Sequence, residues 1–421
     1  MSRAPTPAVA RLLPSPLQRF LERESAGAVL LLGAAALALV WANVGGDHYE
    51  GFWSAHRWLL GDDIGSLRHA VDDGLMTFFF AAVALEIKRE LVHGELRDRR
   101  TAAVPVVGAI GGMVLPALLY VALNLGGDGA RGWAVPMATD VAFVVGVLAL
   151  MTPWVSDQLK LFVLALAVVD DIGAIVVIAL FFGGGISPLP LLSAFALLAL
   201  YAVLQRGEST RGWLFVVLAV GTWALLLRSG VHATMAGVGI GLLTRAHPAA
   251  GQDESPVERW ERRLHPISSW LVIPLFGLAN AGVAVSGDAL GDAGRSEITL
   301  GVVVGLVVGK TAGIVGATWL AVRAGFGRLP APGTWSHLTG VAAAAGIGFT
   351  VSLFVADLAF TGAALQQARL GILGGSLLAA VVSVVVLLAA GRVEGEHRRN
   401  YDPADDDLPE QSGASGRTTV A

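Results

Sequence analysis

Residues 161–182 read LFVLALAVVDDIGAIVVIALFF, an apolar run broken only by two adjacent carboxylates, Asp170 and Asp171. Two other apolar runs hold a charge near their centres: Asp140 in WAVPMATDVAFVVGVLALM, residues 133–151, and Lys310 in TLGVVVGLVVGKTAGIVGATWLAV, residues 299–322. A charged side chain at mid-bilayer costs at least ~2.5–3.5 kcal/mol on insertion scales, so such groups are kept mainly for function. One Asp with one Lys would make an ion pair that fastens helices. Three Asp with one Lys leave two carboxylates without a cationic partner. Neighbouring residues on a helix point about 100° apart, so Asp170 and Asp171 have different tasks. One can face Lys310 while the other faces a wet cavity. A carboxylate in such a cavity can hold a small hard cation such as Na⁺ or Li⁺, or a proton, and burial sets the two ligands in competition near neutral pH.

These charges must be positioned by a membrane architecture. The chain of 421 residues is 54% hydrophobic and only 15% charged, with a mean hydropathy of +0.66. Those values exclude an ordinary soluble domain. About 20 apolar residues cross a hydrocarbon core of roughly 30 Å as a helix. Twelve apolar segments are expected to do so: 26–44, 70–87, 102–124, 133–151, 161–183, 189–205, 212–227, 231–244, 266–286, 298–322, 336–360 and 367–391. The expected fold is therefore an all-α polytopic membrane protein. Residues 1–25 form a cytoplasmic N-terminal segment and 26–391 a transporter domain. Residues 392–421 form a polar, acidic cytoplasmic tail expected to be disordered. With the N-terminus cytoplasmic, 22 of the 29 Lys and Arg fall on the cytoplasmic side and six on the other, leaving Lys310 inside a span. Positive charge marks the cytoplasmic face, so both ends are placed inside. The absence of cysteine excludes disulfides and thiolate metal sites.

Two spans read as broken. Pro136 removes a backbone donor just before Thr139 and Asp140, and GVAAAAGIGFTVSLF places Gly340, Gly346 and Gly348 ahead of Thr350. Irregular backbone at membrane depth is tolerated where it lines a cavity or is buried in protein. Broken helices at matching places in two halves mark the binding site of inverted-repeat transporters. Spans 3–5 and 10–12 fit that pattern, with spans 4 and 11 as the discontinuous crossing pair.

Other residues and classes are weighed the same way. His232 reads as a satisfied interior histidine, Asp72 and Asp73 as solvated carboxylates at a span's end, and Asp357 has no assigned role. GLVVGKT (305–311) is one residue short of a phosphate-binding loop and lies in an apolar helix, so it is not read as one. No HExxH, GxSxG or basic nucleic-acid patch occurs. A passive cation channel is the first alternative, disfavoured by Lys310 in the pathway. An intramembrane aspartyl protease using Asp140 and Asp171 is the second, and it lacks an acid in GIGFT.

The stretches WAVPMATDVAFVVGVLAL, LAVVDDIGAIVVIALFF, DDGLMTFFFAAVALEIKREL, SGVHATMAG, PLFGLANAGV, GLVVGKTAGI and AAGIGFTVSLF together resemble the NhaA sodium/proton antiporter family. The resemblance runs from about residue 25 to 391. It implies a bacterial inner-membrane transporter, not an enzyme and without a cofactor. Such a protein exchanges cytoplasmic Na⁺ or Li⁺ for external H⁺, is electrogenic, and is activated at alkaline pH. It implies that Asp171 is the principal ligand of the transported Na⁺, assisted by Asp140 and Thr139. It makes Asp170 the partner of Lys310, and has Lys310 and Asp140 offset the half-helix dipoles. Glu86 and Glu90 in LEIKREL, and Glu261 and His265 in ERWERRLHP, match the family's pH-sensing region, with Arg262 where some relatives have a second histidine. A homodimer is also implied, with residues 45–68 as an extracellular hairpin contact.

Overall fold

The computed structural model describes residues 16–55, 65–151, 155–206, 212–248, 251–329 and 334–400. Apolar runs bounded by Gly, Pro and Ser become helices, and no strand occurs among the described residues. In chain order they are α1 (Pro16–Val44), α2 (Asp47–Trp53), α3 (Leu67–His69), α4 (Met76–Val92), α5 (Arg99–Leu123), α6 (Val141–Leu150), α7 (Asp157–Phe181), α8 (Pro188–Arg206) and α9 (Gly212–Leu227). There follow α10 (Met235–Leu243), α11 (Pro256–Ile267), α12 (Ile273–Asn280), α13 (Gly287–Arg295), α14 (Glu297–Val304), α15 (Lys310–Arg323), α16 (Trp335–Ala344), α17 (Phe349–Ala359) and α18 (Gly362–Asn400). Three wide π-helical turns interrupt this series: Ala70–Leu75 before α4, Ser268–Val272 between α11 and α12, and Gly305–Gly309 between α14 and α15. Residues Asp128–Met137 form a 3₁₀ helix.

Among the described residues, six helices are long and apolar enough to cross a membrane: Ala26–Val44, Thr101–Leu123, Asp157–Phe181, Pro188–Arg206, Glu297–Arg323 and Gly362–Arg392. Two further pairs qualify only as broken spans, Gly129–Met137 with Val141–Leu150, bent by 42°, and Trp335–Ala344 with Phe349–Ala359, bent by 49°. The breaks are where Pro136 and the Gly346/Gly348 pair lead one to expect them. Pro136 itself lies inside the 3₁₀ helix, and Thr350 lies in the first turn of α17.

Several boundaries differ from the hydropathy reading. Segment 231–244 is helical only from Met235, because Gly230 adopts a left-handed φ of 82° and the turn around it bonds to the 184–187 loop. Segment 266–286 stops being helical at Asn280, and its helix begins upstream at Pro256, where Ser255 and Glu258 form a capping box. Much of the polar stretch 245–265 is thus helix. α18 continues to Asn400, into the segment expected to be a disordered tail. Residues 401–421, residues 1–15 and part of the 45–68 hairpin lie outside the described residues.

The helices fall into two groups. α5, α7 and α14 to α18, with the 3₁₀ helix, pack chiefly among themselves, and α4 and α8 to α11 do likewise; α6 joins the first group and α12 the second, each also lying against α1. α1 bridges them, touching α6 on one side and α12 on the other. Within the first group, α5 and α15 come together because Gly111, Gly112 and Gly313 present no side chain. A Cβ on Gly111 or Gly313 would strike the backbone of the facing helix. Small residues are what allow such close approach in a bilayer.

Candidate functional site

The two breaks touch. Asp140 N–H donates to the Ile347 carbonyl at 2.7 Å, and Thr139 Oγ1 donates to the Ala345 carbonyl at 2.8 Å. Ser352 Oγ donates back to the Val135 carbonyl at 2.8 Å. Backbone groups freed by unwinding are thereby satisfied by the other break, as the apolar surroundings require. Asp140 caps α6 by accepting from Phe143 N–H at 3.3 Å on Oδ1. Its Oδ2 accepts from Thr350 N–H at 3.0 Å and Thr350 Oγ1 at 2.6 Å, in the first turn of α17. One carboxylate thus faces the positive ends of two half-helices. Asp140 is 3% exposed and Thr139 1%.

Lys310 opens α15 and is fully buried, at 0% exposure. Its Nζ donates to Asp170 Oδ1 at 2.7 Å and also to the carbonyl of Met137, the last residue of the 3₁₀ helix. A cation is therefore set against the negative end of that half-helix, complementary to Asp140 at its neighbour's positive end. The π turn Gly305–Gly309 ends immediately before Lys310, and Gly305 packs against Pro136. Asp170 is 1% exposed, and its Oδ2 is buried without a hydrogen-bond partner. Asp171, one residue on, is half-buried and turned elsewhere.

Asp171 lines a small cavity of about 60 Å³ together with Thr139, Asp140, Thr350, Glu86 and His265. That is room for a dehydrated cation and a few waters. Ser268 and Ser269, on the π turn before α12, complete the polar lining. The oxygen donors converging there are the type that hard monovalent and divalent cations prefer. Among the described residues, no group of three or more His, Asp or Glu has the closeness of a resident metal site. A roomier groove of about 460 Å³ between α4, α9 and α10 has no carboxylate in its lining.

Glu86 also lines a second cavity, of about 410 Å³, with Arg89, Glu90, His93 and Asp98. A charged vestibule at one end of the molecule thus shares Glu86 with the inner cavity. Arg89 stands between the acidic residues, bonding Glu90 at 3.2 Å and Glu261 more closely. Burial pushes the Glu261 carboxyl above the usual glutamate range, and the Arg89 charge opposes that. Of the four residues expected to sense pH, Glu86 and His265 line the inner cavity, Glu90 lines the vestibule, and Glu261 is held by Arg89. The sequence reading passed over Arg89 itself, whose signal was its place between Glu86 and Glu90 in LEIKREL.

His232 bonds the Phe182 carbonyl, as an interior histidine should. Asp72 and Asp73 are not solvated. They sit on the π turn, where Asn280 Nδ2 donates to Asp72 Oδ1 at 2.7 Å and His69 Nε2 pairs with Asp73 Oδ2 at 2.9 Å. Asp357 pairs with Arg369 at 2.7 Å. Arg369 stands at the edge of the 367–391 run and counts among the non-cytoplasmic charges, yet it is 1% exposed. An unmatched acid in one span with an arginine twelve residues on was the available clue.

Comparison with known proteins agrees with this geometry. The family described as Na⁺/H⁺ antiporter 1 matches residues 18–387. The chain is 44% identical to Na(+)/H(+) antiporter NhaA 3 of Frankia alni, covering 93% of this chain and 91% of that protein. It is 46% identical to Na(+)/H(+) antiporter NhaA 1 of Saccharopolyspora erythraea, over 89% and 91% of the two chains. It is 45% identical to Na(+)/H(+) antiporter NhaA of Mesorhizobium japonicum, over 91% and 97%. The chain belongs to the Na⁺/H⁺ antiporter 1 family.

Proposed function

We propose that this member of the family carries Na⁺ or Li⁺ out of the cell in exchange for protons, at the cavity shared by Asp171 and Asp140. Asp171 is the exchangeable ligand. Asp140 has its oxygens committed to two helix ends, and Thr139 gives its hydroxyl to the opposite break, so Asp171 is the carboxylate with freedom to trade a cation for a proton. Asp170 and Lys310 form the companion pair, whose opening when Asp170 or Lys310 changes charge couples a further proton to each cycle and makes exchange electrogenic. The chain then has twelve spans, with inverted repeats in spans 3–5 and 10–12 and cytoplasmic termini, and the vestibule of Glu86 and Glu90 opens on the inner face. Transport is then alternating access, with Glu261 and His265 setting activity as pH rises, in a homodimer in the bacterial inner membrane.

The observation that carries the reading is the single small cavity joining Asp171 to the crossing of two broken helices. The test is flux in proteoliposomes. Asp171→Asn keeps the shape and removes the charge, so sodium-driven proton movement is expected to vanish while the protein inserts and melts normally. Wild-type exchange in that variant overturns the assignment.

A further inference from the structure

At the end of the molecule away from the vestibule, four polar side chains from four elements meet. Asn280, the last residue of α12, donates to Asp72 on the π turn before α4 at 2.7 Å. Arg369 of α18 donates from Nη2 to Asn280 Oδ1 at 3.0 Å and to Asp357 Oδ1 of α17 at 2.7 Å. Asp72 and Asn280 belong to one helix group, and Asp357 and Arg369 to the other. Both carboxylate contacts thus stay within a group, and only the Arg369 to Asn280 bond crosses between groups. One turn nearer the ion cavity, Phe80 of α4 and Phe276 of α12 lie against Phe354 of α17, with ring centres 5.2 Å and 6.3 Å from it. Phe354 is one turn from Thr350 and one turn from Asp357, so these rings stand directly between the polar cluster and the site. Phe80, Phe276 and Phe354 are all buried.

We propose that the Arg369–Asn280 contact and the Phe80/Phe276/Phe354 plug form the extracellular closure of the ion path, a latch between the two helix groups that parts when the site faces outward. The proposal rests on the orientation given under Proposed function. When the groups separate, the Asp357–Arg369 ion pair stays whole within its group and Asp72 keeps the neutral Asn280 amide, so neither charge of that pair is stranded. Stranding one is the step that makes breaking a buried pair expensive. Within this cluster, what must yield is one hydrogen bond to a neutral amide and the contact of one ring with two others. Such a seam can open and close within a transport cycle. The two buried atoms left without partners, Asp357 Oδ2 and Arg369 Nε, leave the cluster less than fully fastened, which also favours a contact that exchanges.

The native chain has no cysteine, so a single reporter reads the closure. Ala356→Cys lies between Phe354 and Asp357, where Ala356 is 0% exposed, and Val144→Cys lies in the interior of α6, where Val144 is 1% exposed. A membrane-impermeant thiol reagent is added outside right-side-out vesicles, and outside inverted ones. Arg369→Gln is expected to speed outside labelling of Ala356→Cys about tenfold, the effect of one hydrogen bond on an opening equilibrium, with Val144→Cys unchanged. Arg369→Lys, which keeps a charged donor, is expected to return the rate towards the parent. If Arg369→Gln does not fold, Asn280→Ala removes the same bond and carries the same expectation. Parental labelling in either folded variant overturns the latch, and so does equal acceleration at both reporters, which marks general loosening. Acceleration from the inverted side alone upholds the closure and overturns the orientation. No arm of the experiment depends on sodium exchange, so the latch and the transport reading fail separately.

Discussion

Asp140 does two jobs at the scale of a single residue. It caps α6 and receives the first turn of α17, and it also faces the cation cavity. The Thr350 hydroxyl is its shortest partner, at 2.6 Å. Hydrogen bonds to charged groups contribute about 1.5–3 kcal/mol. Thr350→Val is therefore expected to lower the melting temperature and weaken sodium binding, while Thr350→Ser restores both. Equal behaviour of the two variants in thermal unfolding and equilibrium sodium titration would show that the hydroxyl is idle. The Asp170–Lys310 pair makes a second prediction. Removing one partner of a buried pair typically costs about 3–5 kcal/mol, whereas replacing both is often close to neutral. Lys310→Ala alone should melt lower than Asp170→Asn combined with Lys310→Gln. A double variant that melts lowest of all would contradict the pairing. These residues were legible in the sequence because a charge inside an apolar run has no innocent explanation. Arg369, Asp72 and Arg89 were not, because a charge at the edge of a run is ordinary and only tertiary packing decides whether it meets water.

At the scale of elements, the site depends on helices that stop where an unbroken helix would continue. At Gly346 the second break is packed against backbone. A Cβ there would strike the Leu306 carbonyl on the neighbouring π turn and come within 3.0 Å of the Ala343 carbonyl. Neither is a flexible side-chain end, so the backbone must shift. Overpacking of this kind costs about 1–3 kcal/mol. Gly346→Ala is expected to lower thermal stability by that order and to slow exchange, since the crossing carries Asp140. An unchanged melt would mean that the π turn yields freely. The glycines and Pro136 announced both breaks, since each removes a restraint or a donor that a continuous helix needs. The three π turns had no such announcement. An extra residue in a turn leaves the apolar spacing nearly intact, and Ala70–Leu75 and Ser268–Val272 read as plain span. They nevertheless place Asp72, Ser268 and Ser269 where they act, and π turns do recur at functional positions. The helical start at Pro256 was hidden for the opposite reason: α11 is polar, and the hydropathy reading merged it with a loop.

At the scale of the whole molecule, two places where pH could act can be told apart, the proposed ion site and the vestibule beside it. If protons and sodium trade places on Asp171, saturating sodium moves the pH midpoint of exchange to the acid side. A separate sensor leaves a pH dependence that sodium does not remove. Competition is expected to dominate, and the pH profile of flux at low and saturating sodium checks it, with a fixed midpoint counting against it. Glu261 supplies a stability test. Its carboxyl sits above the free-glutamate value of about 4.3, chiefly through burial. The fold therefore favours the protonated form, and this contribution is lost as pH rises through the shifted value. Thermal unfolding in detergent between pH 5 and pH 9 is expected to show a smaller alkaline loss in Glu261→Gln than in the parent, and equal losses would remove Glu261 from the account. The stitched crossing of the two breaks also leaves a trace in time. Unwound backbone ordinarily swaps its amide protons with solvent early. Here the Asp140 amide is bonded to the Ile347 carbonyl and the Thr350 amide to Asp140, both buried beneath two half-helices. Deuterium uptake should therefore run in reverse of appearance, with the broken middle of each span labelling after the regular helical turns at its ends.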